Sequence, residues 1–171
     1  MIKKLALLLT LGSLASAAYP EDDWVFVGTS YKDDVYMKMA SVKVNNDLYN
    51  SVDTWVKYIS ISDDSSVVAR MKYYCKSDSF QQLEAHNYDK DGNYLYGRKN
   101  PASIQRAIPD TIGVDLVNSA CVSGAVSDLL MFHYMDNEDI TDAHYKQVID
   151  KFGSYSVPAM IYYNKKTGNT N

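Results

Sequence analysis

The sequence is poor in the residues that build metal and redox centres. Two cysteines, Cys75 and Cys121, and three histidines, His86, His133 and His144, are scattered over 171 residues. Structural zinc takes about four ligands at short spacings, and the chain offers no such set. No G-x-S-x-G, H-E-x-x-H or phosphate-cradling glycine loop occurs. The carboxylates show no paired spacing. The expectation is therefore not an enzyme, with no cofactor and no metal site. Basic runs are also missing. Lys and Arg number 17 against 21 Asp and Glu, and an acidic chain is a poor partner for nucleic acid. Beyond the N-terminus no stretch reads as the ~20 apolar residues of a membrane span, so no transmembrane segment is expected.

What is present begins with Met1 to Ala18, MIKKLALLLTLGSLASAA. Lys3 and Lys4 precede a short apolar run from Leu5 to Leu11, and Ala15-Ser16-Ala17 supplies a small-residue cleavage site. This is the pattern of a secretory signal peptide. Its removal takes away two lysines and leaves 15 basic residues against 21 acidic, a formal balance of −6. No cysteine stands near the expected cut to carry a lipid. The mature chain is expected to be exported, to the periplasm, the cell surface or the medium, without a lipid anchor.

Export changes the reading of the cysteines. In an oxidising compartment an isolated pair is most simply a disulfide. Free structural thiols, a metal ligand or a catalytic thiol are the alternatives. A catalytic thiol needs a neighbouring base and a lowered pKa, and nothing in the sequence places His86 beside Cys75.

Strand signals fill the first two thirds of the mature chain. Trp24 to Thr29, Val35 to Met39, Val42 to Val44 and Val52 to Ile61 are separated by turn residues. Val52, Thr54, Val56, Tyr58 and Ser60 share one face of the fourth. Val67 to Cys75 and Phe80 to Asp89 form a hairpin with Lys76 to Ser79 near its tip. Asp89-Lys90-Asp91-Gly92-Asn93 resembles the start of a calcium loop. Counted from Asp89, however, the sixth and twelfth positions hold Tyr94 and Asn100 instead of the glycine and glutamate an EF-hand needs. A hairpin turn is the expected structure. Ile104 to Ile108 is expected to close the sheet.

A helix follows Pro109-Asp110-Thr111, with Asp110 or Thr111 as its cap. Leu116, Val117, Ala120 and Cys121 make one apolar stripe, which turns Cys121 toward the sheet. A strand cysteine and a helix cysteine pointing into one core can meet. Such a bridge closes about 45 residues and is worth roughly 3 to 4 kcal/mol. Gly124 is a candidate break in the helix. Asp136 to Asp139 reads as an acidic loop. Thr141 or Asp142 caps a second helix that runs through Phe152 and ends at Gly153. Tyr155 to Tyr163 reads as a strand interrupted by Pro158, and Asn164 to Asn171 as a polar tail.

The order and spacing of several short stretches resemble the surface-adhesin protein E family of Gram-negative bacteria. They are the opening Trp24-Val25-Phe26-Val27-Gly28, Val56-Lys57-Tyr58, Lys72-Tyr73-Tyr74-Cys75, the tyrosine-rich strand at Tyr88, and Ile108-Pro109-Asp110-Thr111 leading a helix to Cys121. The resemblance covers roughly residues 24 to 121. It implies an α+β fold, an antiparallel sheet of about six strands with a helix on one face. It also implies a strand-to-helix disulfide between Cys75 and Cys121, and an exported, non-enzymatic binding protein. The partner it implies is a host extracellular protein; the alternative is a periplasmic accessory or inhibitor protein that binds an envelope partner.

Two departures limit the transfer. The namesake adhesin is a lipoprotein, and it carries a strongly basic host-binding segment before the strand cysteine. Here that segment runs from Asp63 to Lys72 with only Arg70 and Lys72 basic. Only Cys75 and Cys121 are carried over, and the binding residues stay unassigned. The domain reading is a signal peptide at 1–18, a sheet-and-helix domain at 19–124, and a helix-and-strand extension at 125–171. The extension is faintly similar to the helix and proline-led strand of the thioredoxin fold, but it has no C-x-x-C for thiol redox chemistry. Tyr73, Tyr74, Tyr88, Tyr94 and Tyr96 are candidates for a cluster on one sheet face.

Overall fold

The computed structural model describes residues 24–48, 50–136 and 140–168. The leader and most of the acidic loop lie outside the described residues. Eight antiparallel strands form one sheet: β1 (Trp24–Thr29), β2 (Asp33–Lys38), β3 (Lys43–Val44), β4 (Val52–Ser60), β5 (Ser66–Tyr74), β6 (Ser79–Tyr88), β7 (Tyr94–Arg98) and β8 (Gln105–Arg106). The order is β1-β2-β4-β5-β6-β7, with β3 beside β4 and β8 beside β6. Three helices follow, α1 (Ile112–Asp136), α2 (Asp142–Phe152) and α3 (Ser156–Thr167). The fold is α+β, as the sequence pattern and the resemblance both imply.

Alternation along the strands decides which face is sealed. Val35 and Met37 on β2, Val52, Thr54 and Val56 on β4, and Ala69, Met71 and Tyr73 on β5 are buried. From α1 they meet Leu116, Val117, Ala120, Cys121, Ala125 and Leu129, which recur at helical spacing and are buried too. Val148, Phe152, Ala159 and Tyr163 from α2 and α3 join the same core. Each large aliphatic side chain fully buried in this way is worth about 1.5 to 3 kcal/mol. Among the described residues, the opposite face of the sheet carries no helix.

The structure departs from the sequence pattern at four places. The segment from Ser156 to Tyr163 is helix, not strand. Pro158 is the third residue of α3, where the missing N–H costs nothing because the first turn has no helical acceptor. The buried positions Ser156, Ala159 and Tyr163 follow the helical period. The faint thioredoxin-like strand is therefore absent, and α3 also takes up Asn164 to Thr167 of the expected tail.

Gly124 does not break α1, which runs unbroken for 25 residues. A methyl group there would lie 2.7 Å from Val52 Cγ2 and 3.1 Å from Phe152 Cε1. The glycine is a point of close approach between helix, sheet and α2.

Contrary to the expectation of no such segment, Ile112–Tyr134 is long and apolar enough, by length and composition, to cross a membrane. Its apolarity serves packing on two sides here, against the sheet and against α2 and α3. The closing strand is only two residues, Gln105–Arg106, paired with Phe80 and Ser79.

Candidate binding face

Cys75 follows β5 as the first residue of a short 3-10 turn, and Cys121 lies on the inner stripe of α1. Their sulfurs are bonded, the Cα atoms are 5.7 Å apart, and the bridge spans 46 residues of sequence. Both cysteines are buried. The bond ties the sealed face to its helix, and so helps keep the helix off the other face.

That other face is built from rows of side chains running across the strands. Trp24 pairs with Lys38, the position beside Lys38 on β4 is Trp55, Trp55 pairs with Arg70, and Arg70 pairs with Glu84. A second row runs Phe26, Tyr36, Lys57, Val68 and His86. In the first row aromatic and cationic residues alternate over β1, β2, β4 and β5 before Glu84 on β6. The Lys38 ammonium sits 5.8 Å from the centre of the Trp24 ring. Phe26 meets Tyr36 edge-on at 5.5 Å. Trp55 and His86 are 6.0 Å apart, His86 and Tyr94 6.2 Å, and Tyr94 and Tyr88 5.8 Å. Such contacts add about 0.5 to 1.5 kcal/mol each beyond burial.

The charges divide into neutralised and free groups. Arg70 Nε lies 3.2 Å from Glu84 Oε1, and His86 Nε2 lies 3.6 Å from Glu84 Oε2. Lys72 is 3.3 Å from Asp47 and 4.0 Å from Asp53. Among the described residues no carboxylate pairs with Lys38 or Lys57. Asp34, on the rim, accepts a 2.7 Å hydrogen bond from the Thr29 hydroxyl. A shallow groove of about 330 Å³ follows the rows, lined by Trp24, Lys38, Trp55, Val68, His86 and Tyr88. It contains an aromatic floor and one permanent charge, and none of its lining residues bears a hydroxyl or thiol nucleophile other than the Tyr88 phenol.

The sequence candidates scatter. Tyr73 points inward and is fully buried, its ring against Phe80. Tyr74 points outward and donates a 3.0 Å hydrogen bond to Gln81 Oε1. Tyr88 and Tyr94 share the open face. Tyr96 pairs with Asn87, the neighbour of Tyr88, and therefore faces the other side. The five do not form one cluster. The tryptophans and the lysine of the groove were missed because their signal is cross-strand register, which no local pattern contains.

The three histidines are equally apart. His86 is in the groove, His133 on α1 packs against Tyr163, and His144 at the start of α2 stacks on Phe132 at 4.6 Å. Asp89 to Asn93 is the expected hairpin turn, with Gly92 at φ +81°. The Asp89 carboxylate accepts from the Asn93 backbone at 2.8 Å and its side-chain amide at 2.9 Å. These bonds hold Asp89 below the usual carboxylate range.

Burial shapes the phenols under the sealed face. Tyr58 is pushed up to about 12, first by burial and then by the Asp33 charge. Tyr73 is raised well above the usual phenol range too, again mainly by burial. A larger cavity than the groove lies elsewhere, at the hairpin tip and the start of α1. It measures about 710 Å³ and includes Asp78, Arg106, Asn118 and Tyr155. The Tyr155 hydroxyl donates a 2.6 Å hydrogen bond to Asp78 Oδ1 across it.

A sheet sealed on one side by a disulfide-tied helix and open on the other defines a small α+β domain with a broad exposed face. The family model described as surface-adhesin protein E matches residues 24–122, and the chain belongs to that family. No curated protein matches the chain. Family membership supports a surface-adhesin-like, surface-associated role.

Proposed function

We propose that this is an exported, non-enzymatic binding protein whose open sheet face attaches it to host extracellular proteins. The observation that carries the reading is that face, in a member of the surface-adhesin protein E family. Half-buried aromatics ordered by neighbouring strands offer contact area at low conformational cost. The domain at residues 19–124 presents the face, and the helices at 125–171 back its core from behind. The leader at Met1 to Ala18 directs export. The test is saturable capture of the mature protein on immobilised extracellular-matrix proteins. Binding lost in Trp55→Ala, with the circular dichroism unchanged, is the expected result; no saturable binding to any of them overturns the reading.

A second reading, an accessory protein for a periplasmic or envelope partner, draws on β7. This edge strand is exposed at all five residues, and free edges accept extended peptides. Fractionation separates the two readings. Protein confined to the periplasm, with none on intact cells, selects the second.

A further inference from the structure

We infer that the groove across the open face binds an acidic glycan, a sugar chain bearing carboxylates or sulfates. This deepens the attachment reading and rests on it. The first observation is the floor. Trp24, Trp55, His86 and Tyr88 line the groove and all are only partly exposed. The Trp55 and His86 rings lie 6.0 Å apart with their planes tilted by 37°, each half-buried against its neighbours. A flat, half-buried ring presents a π face to a flat ligand, whereas insertion into a bilayer needs protruding side chains. A pyranose has an apolar face of C–H groups that stacks on such rings, with hydroxyls around its edge for polar neighbours.

The second observation is charge. Aromatic walls also suit organic cations, but Lys38 already holds its ammonium 5.8 Å from the Trp24 ring and repels a second cation. Glu84, beside Arg70 on β6, is engaged by Arg70 and His86. Lys38 and the adjacent Lys57 have no carboxylate partner among the described residues. Lys38 is the one permanently charged residue lining the groove, inside a chain whose formal charge is −4. That combination selects an anion with an apolar face. A long polyphosphate is disfavoured, because it needs extended basic tracks. The third observation is length. The ring contacts continue from Trp55 through His86 and Tyr94 to Tyr88, so the platform accommodates successive sugar units rather than one.

The chain contains two tryptophans, and both line the groove. Intrinsic tryptophan emission therefore reports on this site alone. Titration of the mature protein with heparin is expected to shift the emission saturably. Dextran, a neutral glycan, is expected to leave it unchanged. Added salt should weaken heparin binding, and Lys38→Glu should weaken it at least tenfold. Lys165→Glu, on α3 and remote from the groove, should leave it unchanged. Trp55→Leu should weaken binding while the disulfide and circular dichroism stay intact.

The inference is overturned if heparin leaves the emission unchanged, if dextran binds as well, or if Lys38→Glu has no greater effect than Lys165→Glu. It is also overturned if phosphatidylglycerol vesicles shift the emission and heparin does not. Absent heparin binding with intact capture on matrix proteins overturns this inference alone. Absence of both overturns the attachment reading as well.

Discussion

The Lys151 ammonium donates a 2.8 Å hydrogen bond to Asp128 Oδ2, and Asp128 is 4 % exposed. Lys151 comes from α2 and Asp128 from the inner stripe of α1, so the pair fastens α2 to the long helix. The same ammonium donates to Asn46 Oδ1 at 3.0 Å, in the loop before β4. Removing one partner of a buried pair leaves an uncompensated charge and costs about 3 kcal/mol or more. Lys151→Met is expected to destabilise by about 3 kcal/mol in urea denaturation. The double variant Asp128→Leu/Lys151→Met should recover much of the loss, because no lone carboxylate remains.

The Cys75–Cys121 bond constrains the unfolded chain as well as the folded one. A loop of 46 residues corresponds to about 4 kcal/mol in the chain-entropy model. Mass spectrometry of the unreduced protein should find the two cysteines linked. Both are buried, so reductant alone should act slowly and denaturant should accelerate it. Cys121→Ala is expected to lower the melting temperature sharply. An unchanged melting temperature would show that the bond does not brace the fold.

Gly124→Ala tests close packing against helix propensity. Alanine at an exposed helix position gains about 1 kcal/mol over glycine. Here its methyl would meet Val52 at 2.7 Å, and overpacking costs about 1 to 3 kcal/mol. A net loss of about 1 kcal/mol or more is expected, read as a lower denaturation midpoint.

Alkaline pH should unfold the protein through its buried phenols. Tyr58 is raised from 10.0 to about 12 in the folded state. The folded state thus keeps a proton that the unfolded chain releases, and stability present below pH 10 falls as pH rises toward 12. Phenolate absorbance and urea midpoints measured together should show this fall. The Tyr73 hydroxyl is buried without a hydrogen-bond partner among the described residues. Tyr73→Phe is therefore expected to be neutral or stabilising, and to soften the alkaline loss.

Much of the sheet was legible because its signals are local. The Val52, Thr54, Val56 alternation marks a half-buried strand on sight, and Asp-Gly between tyrosine runs marks a hairpin turn. The Leu116, Val117, Ala120, Cys121 spacing faces a helix inward. Thr141 was legible as a cap, and its hydroxyl does accept from the His144 backbone at 3.4 Å. The segment from Ser156 to Tyr163 was not legible. Its valine, isoleucine and tyrosines favour strand locally, and packing of Ala159 and Tyr163 on α1 overrides that preference. The groove was hidden for a different reason: Trp24, Lys38, Trp55 and His86 are far apart in sequence and become neighbours only through strand order and register.

The amino-acid sequence by itself determined the alternation that gives each strand a wet and a dry side, the turns between strands, and the two sulfurs available for a bond. These depend on residues within a few positions of one another. Tertiary structure decided which face the helices would cover, that a proline-bearing segment would coil, and that two tryptophans and a lysine would line one groove. Those outcomes depend on burial free energy shared among distant segments, which no short window of sequence contains.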